Sequence, residues 1–238
     1  MSAPPDPAAP MAGPGAAVPS PVVPRSDDAA GPVAAPAGHG PAAATARRRL
    51  KPGERRLQIL QTLAAMLEQP GSERITTAAL AARLSLSEAA LYRHFASKAQ
   101  MFEGLIEFIE HSVFTLTQQI CEREAEPRLR AQRIVAVLLQ FGERNPGMTR
   151  VMVGDALVHE HERLQQRMNQ FFDRIESQLR IGLREGADPT LAMPTVDAQV
   201  RASALTAFAV GRLQRFARSG FRRVPTEHLE AALQLLVV

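Results

Sequence analysis

Thr76-Thr77-Ala78-Ala79-Leu80-Ala81-Ala82-Arg83-Leu84-Ser85-Leu86-Ser87-Glu88-Ala89-Ala90-Leu91-Tyr92-Arg93-His94-Phe95-Ala96-Ser97-Lys98 reads as a short helix, a tight turn and a second short helix. Apolar residues fall at Ala78, Leu80, Ala81 and Leu84, then at Leu86, Ala90, Leu91 and Phe95, with helical spacing on both sides of a break at Ser85-Leu86. Thr76 and Ser87 stand where a side-chain oxygen can satisfy the unpaired N–H groups of a helix start. Two short capped helices joined by a tight turn make a helix-turn-helix, whose second helix can lie in the major groove of DNA. Alanines at 78, 79, 81 and 82 let the two helices approach closely, and Ala89 and Ala90 keep the second one slim. Thr76, Thr77 and Ser87 offer hydroxyls to bases or phosphates, and Ala89 can touch a thymine methyl. Tyr92, Arg93, His94 and Lys98 supply donors at the far end, suited to phosphates. An alanine-rich hairpin inside an ordinary bundle would share the periodicity but not the coincidence of caps, turn and donors.

Leu91-Tyr92-Arg93-His94-Phe95-Ala96-Ser97-Lys98, preceded by this helix-turn-helix, resembles the TetR family of DNA-binding regulators. In that family the Tyr, His and Lys of the motif serve DNA-backbone contacts, carried here by Tyr92, His94 and Lys98. The family's turn usually holds a glycine where this chain has Ser85; if that position is left-handed, Ser costs about 1 kcal/mol there. The resemblance implies an all-α, TetR-like fold. An N-terminal three-helix helix-turn-helix DNA-binding domain (47–96) would be followed by a C-terminal helical dimerisation and partner-binding bundle (97–238).

Charge is distributed accordingly. From Arg47 to Lys98 there are ten Lys or Arg against four Glu, a balance of +6, so with a total of +4 the rest sums to −2. Clustered positive charge is the footprint of a phosphate-binding face. The hydrophobic content of 45% is enough for a sizeable core. The lone Cys121 cannot form an internal disulfide, which fits a reducing cytosol, and it reads as a half-buried helix residue. No apolar run approaches the roughly 20 residues of a membrane span, and no secretory signal is expected. His159 and His161 lack the spacing that places two ligands on one helical face, so no metal site and no cofactor is expected. Paired carboxylates, a Gly-rich phosphate loop and a nucleophile motif are not found, which argues against an enzyme.

Residues 1–46 hold eleven of the 18 prolines and no periodicity, which predicts a disordered Ala/Pro-rich tail. Arg47, Arg48, Arg49 and Lys51 form a basic arm able to follow a phosphate track or enter a minor groove. A first helix is predicted from Gly53 to Gln69, with Leu57, Leu60, Ala64 and Leu67 buried. Ser97-Lys98-Ala99-Gln100 resembles a capping box opening a long fourth helix. Its core stripe would be Phe102, Leu105, Ile109, Val113, Leu116 and Ile120, leaving Phe108 about 100° off the stripe. Pro127 suits the start of a fifth, largely apolar helix that breaks at Gly142-Glu143-Arg144-Asn145-Pro146-Gly147, with Arg144 and Asn145 exposed. A short helix and then a longer one follow to Glu185, striped by Leu164, Met168, Phe171, Phe172, Ile175, Leu179 and Leu183. After a loop at 186–194, a helix from Thr195 to Ser219 is rich in small residues, and a last one begins near Thr226. Apolar helices with small residues suit a two-fold dimer, which would present two recognition helices to a pseudo-palindromic site.

Within the TetR-like group, a narrower resemblance is to the nucleoid occlusion factors of Gram-negative bacteria. It rests on Arg74-Ile75-Thr76-Thr77-Ala78, Ser87 to Phe95, Leu105-Ile106-Glu107-Phe108-Ile109-Glu110 and Phe141-Gly142-Glu143-Arg144-Asn145-Pro146-Gly147, and spans about 54–185. It implies a cytoplasmic, nucleoid-associated homodimer on double-stranded DNA, with several dimers on one site as a further possibility. Such a dimer would antagonise the tubulin-like division protein FtsZ through the groove between the fourth and fifth helices, at Phe108, Arg144 and Asn145. The rival reading is a ligand-responsive repressor, which would lose its operator when an inducer binds. Its bundle would need polar side chains converging on a pocket, and few are seen here.

Overall fold

The computed structural model describes residues 52–69, 75–186 and 194–237, all within one compact unit, 47–238. The predicted tail and the basic arm of Arg47, Arg48, Arg49 and Lys51 lie outside the described residues. The described residues are all-α: α1 (Pro52–Leu67), α2 (Thr77–Arg83), α3 (Glu88–Tyr92), α4 (Lys98–Arg123), α5 (Pro127–Arg144), α6 (Pro146–Met152), α7 (Glu162–Glu185), α8 (Pro194–Arg218) and α9 (Leu229–Leu236), with a 3-10 turn at Asp155–Leu157. No described helix is long and apolar enough to cross a membrane.

The first three helices pack as expected, with one change of phase. The buried row of α1 is Ile59, Leu63, Ala64 and Leu67, while Leu57 is 52% exposed and Leu60 is half-buried. Ile59, Leu63 and Leu67 recur every four residues, and this row rather than the one through Leu57 turns inward. Leu60 instead underlies α4, where Gly104 leaves room: a Cβ there would stand 3.0 Å from Leu60 Cδ1.

Between α2 and α3 the chain makes a Schellman turn. Ser85 N–H donates to Ala82 O at 3.0 Å and Leu86 N–H to Ala81 O at 2.9 Å, with Ser85 at φ +53°. This is the left-handed position that glycine fills most cheaply.

The larger bundle is organised around α4 and α5. Ser97 Oγ accepts from Gln100 N–H at 3.2 Å, and Gln100 Oε1 accepts from Ala96 N–H at 2.8 Å, a capping box displaced by one residue from the expected one. Below it Met101, Phe102, Leu105, Ile106, Ile109 and Val113 are buried, each worth roughly 1.5–3 kcal/mol of apolar transfer. At the far end the row closes on buried Thr117, with Leu116 and Ile120 half-buried. Thr117 is accommodated because its hydroxyl donates to Phe114 O at 3.1 Å. Cys121 is exposed, not half-buried as expected, because it sits past the end of this row near the C-terminus of α4.

Helix α5 begins at Pro127 and buries Ile134, Val135, Leu138, Leu139 and Phe141. Helix α7 keeps its predicted stripe, except that Phe172 is half-buried, and α7 packs along α8. His161 serves as the N-cap of α7, its Nδ1 accepting from Arg163 N–H at 3.3 Å. Arg167 of α7 forks onto Glu110 of α4 at 2.9 and 2.5 Å, and that hydrogen bonding holds its guanidinium above the usual arginine range.

Helix α6 ties the two layers together. A Cβ on Gly147 would lie 2.0 Å from the carbonyl oxygen of Ala64 in α1, so backbone meets backbone there. Gly147→Ala should therefore destabilise the protein by roughly 1–3 kcal/mol in urea unfolding, and an unchanged midpoint would contradict the contact. Ser85→Gly, by relieving a left-handed residue, should raise stability by about 1 kcal/mol in the same measurement.

A candidate DNA interface and a second surface

Helix α3 owes its position to two apolar residues and two caps. Leu91 and Phe95 are buried at 0% and 1% exposure. Ser87 Oγ accepts from Ala90 N–H and Thr76 Oγ1 from Ala79 N–H, both at 3.1 Å, so each of the two short helices starts with a satisfied end. Turning Leu91 and Phe95 inward leaves Ser87, Glu88, Ala89, Tyr92 and Arg93 exposed, with Thr76 exposed beside them. Five of the eight residues expected to meet DNA thus share one open face. Their hydroxyls cap helices as acceptors and can still donate outward.

The others are partly committed. Thr77 is half-buried and donates to Glu88 Oε2 at 2.6 Å, while Tyr92 OH lies 3.5 Å from Thr77 Oγ1, at the limit of a hydrogen bond. These three form a clasp between α2 and α3. Thr77 acts there as a positioning group, and Glu88 was missed in the sequence because its partner lies eleven residues away on the other helix. His94 is half-buried, and its carbonyl accepts from Arg56 Nη1.

Arg56 takes a role that the sequence reading did not give it. Its guanidinium lies 4.2 Å from the Phe95 ring centroid, so α1 grips the end of α3 by a hydrogen bond and a cation–π contact. Lys98 is already engaged within the protein. Its ammonium lies 2.5 Å from Glu160 Oε1, and 5.7 Å from the Phe102 ring centroid.

The second surface lies where α4 meets α5. Phe108 is half-buried, its ring centroid 6.5 Å from that of Phe141. Its position off the main stripe is used to pack one edge on α5 while the rest faces outward. Arg144, in the last turn of α5, is exposed. Asn145 is half-buried, not exposed as expected, because its side chain is a helix cap: Nδ2 donates to Phe141 O at 2.8 Å. Next to it Thr149 Oγ1 donates to Gly142 O at 2.7 Å and closes the α5–α6 corner from inside. The corner is therefore a built joint with Arg144 exposed at its rim.

Comparison with known proteins places this chain in a lineage. Residues 59–105 match the model of the bacterial regulatory proteins of the tetR family, and residues 126–238 match a tetracyclin repressor-like, SlmA-like C-terminal domain. The nucleoid occlusion factor SlmA of Idiomarina loihiensis is 52% identical over 182 residues, 76% of this chain and 93% of that relative. The factor of the same name from Photobacterium profundum is 51% identical, covering 78% of this chain and 95% of its own. Among solved structures, the TetR family regulator PfmR of Thermus thermophilus superposes with a TM-score of 0.59 at 21% identity, over 76% of this chain and 94% of its own. The ketosteroid regulator KstR2 of Mycobacterium tuberculosis does so at 0.56 and 20%, over 77% and 93%. Those two likenesses speak to the fold alone, whereas the identities above extend over 182 and 187 aligned residues. The chain belongs to the nucleoid occlusion factor SlmA family, within the TetR-type DNA-binding regulators.

Proposed function

We propose that this chain is a dimeric, sequence-specific DNA-binding protein that, once seated on the chromosome, restrains FtsZ ring assembly over the nucleoid. Division would thereby wait on chromosome segregation. The observation that carries the reading is the kinship with nucleoid occlusion factors over most of the chain, joined to two separate surfaces of the right chemistry.

On the DNA side, Ser87, Ala89, Tyr92 and Arg93 of the α3 face meet the groove, flanked by Thr76, Thr77, His94 and Lys98. The basic arm of Arg47, Arg48, Arg49 and Lys51 adds phosphate contacts. A second copy would dock on α8, whose outward stripe carries Val196, Val200, Ala204 and Ala207, with Ile181 of α7 also exposed. Small and β-branched residues at helical spacing suit helix-on-helix contact, and the two-fold sets two α3 helices on a pseudo-palindrome. FtsZ would dock on Phe108 and Arg144, with Asn145 holding the corner. The place of action is the cytoplasm, at the nucleoid, and the work is binding rather than catalysis.

Tyr92→Ala should weaken duplex binding by roughly 1–3 kcal/mol in fluorescence anisotropy and leave FtsZ co-sedimentation intact. Arg144→Asp should do the reverse, and loss of duplex binding in that variant would overturn the division of surfaces. Because α4 starts at the DNA motif and carries Phe108, the two sites should also be coupled. Cognate duplex should raise FtsZ affinity by about fivefold or more, and FtsZ should raise duplex affinity by the same factor. Equal FtsZ affinities with and without duplex would remove the coupling.

A further inference from the structure

Lys98 is the first residue of α4 and the last of the DNA-binding motif, yet its ammonium lies 2.5 Å from Glu160 Oε1. The Glu160 side chain is only 10% exposed and that of Lys98 26%. Glu160 sits in the short link before α7, held by its own N–H donating to Leu157 O at 3.0 Å. Two further ion pairs join α4 to α7 itself: Glu103 to Arg163 at 2.8 Å and Glu110 to Arg167 at 2.5 Å. Residue numbers rise together along both segments, so three rungs lead from the DNA-binding motif into the bundle. In the second and third rungs α4 supplies the anion. In the first it supplies the cation, and that cation is the one a phosphate would claim.

We propose that Glu160 sets the DNA affinity of this protein by competing with a backbone phosphate for Lys98. The proposal rests on Lys98 being a phosphate contact, as read above. A phosphate oxygen within hydrogen-bond reach of Lys98 Nζ lies about 5 Å from the Glu160 carboxylate, close enough for strong repulsion. If the ammonium swings away, a carboxylate nine-tenths buried loses its counter-charge. Either way duplex binding works against the first rung, while the second and third keep α4 registered on α7.

The test is a double-mutant cycle on Lys98→Ala and isosteric Glu160→Gln, in the full chain. Its probe is a labelled duplex enriched from random sequence by the wild-type protein. Glu160→Gln should tighten binding about fivefold while lowering the melting temperature without DNA. A purely structural carboxylate would lower both affinity and stability. Lys98→Ala should weaken binding about tenfold and reduce the salt slope by about one. Adding Glu160→Gln to Lys98→Ala should then change affinity by less than about twofold. A full gain persisting in the Lys98→Ala background would reduce the effect to net charge and overturn the competition. Lys98→Ala weakening binding, with Glu160→Gln neutral or weaker, overturns the competition alone. Lys98→Ala binding as tightly as wild type overturns the phosphate role itself, and the competition with it.

Discussion

Only Arg93 to Ser97 separate the end of α3 from the first residue of α4, and that segment has no slack. Phe95 is buried in its middle and Arg56 holds both the Phe95 ring and the His94 carbonyl. Ser97 then fixes where the next helix starts. A buried Phe is worth roughly 1.5–3 kcal/mol and the cation–π contact about another 0.5–1. Reorienting α3 alone would forfeit most of that. The recognition helix and the long helix behind it therefore move as one piece, and both proposed surfaces depend on this stiffness.

Stability and register come from different forces here. The apolar row of α4, with α5 and α7, supplies the bulk of the free energy. The ion pairs between α4 and α7 are partly exposed, and each is worth about 1 kcal/mol or less. What they add is position along the helix axis, which a smooth apolar seam specifies weakly. The α5–α6 corner follows the same division: Thr149 and Asn145 spend their polar groups on carbonyls of the preceding helix end. Arg144 stays exposed at this joint, which its neighbours have already closed.

Much of this was legible locally. Caps at Thr76, Ser87 and Ser97 involve atoms three residues apart, so the letters alone imply them. A left-handed Ser85 was only a condition raised by the glycine usual at that place in TetR-like turns, and the structure meets it at φ +53°. The open face of α3 followed from knowing which two residues must turn inward. What the chain hid was phase and distance. Helical period says that a stripe exists on α1 but not whether Leu57 or Ile59 lies at its centre, since the answer depends on where α4 and α6 press. The partner of Lys98 stands 62 residues away, and no local pattern points to it. Asn145 looked like punctuation, and so its side chain was expected in solvent. Its amide instead completes the helix it terminates.

The meeting of Gly147 with the Ala64 carbonyl has a mechanical meaning. Most helix contacts are cushioned by side chains that can change rotamer, so a small slide on one side dissipates before reaching the other. Here two main chains touch with nothing between them. A displacement of α1 has no soft element in which to be lost, and α6 must follow it, carrying the neighbouring Arg144 corner along. The hydrogen atom that stands in for a side chain at position 147 thus makes this junction a bearing rather than a hinge.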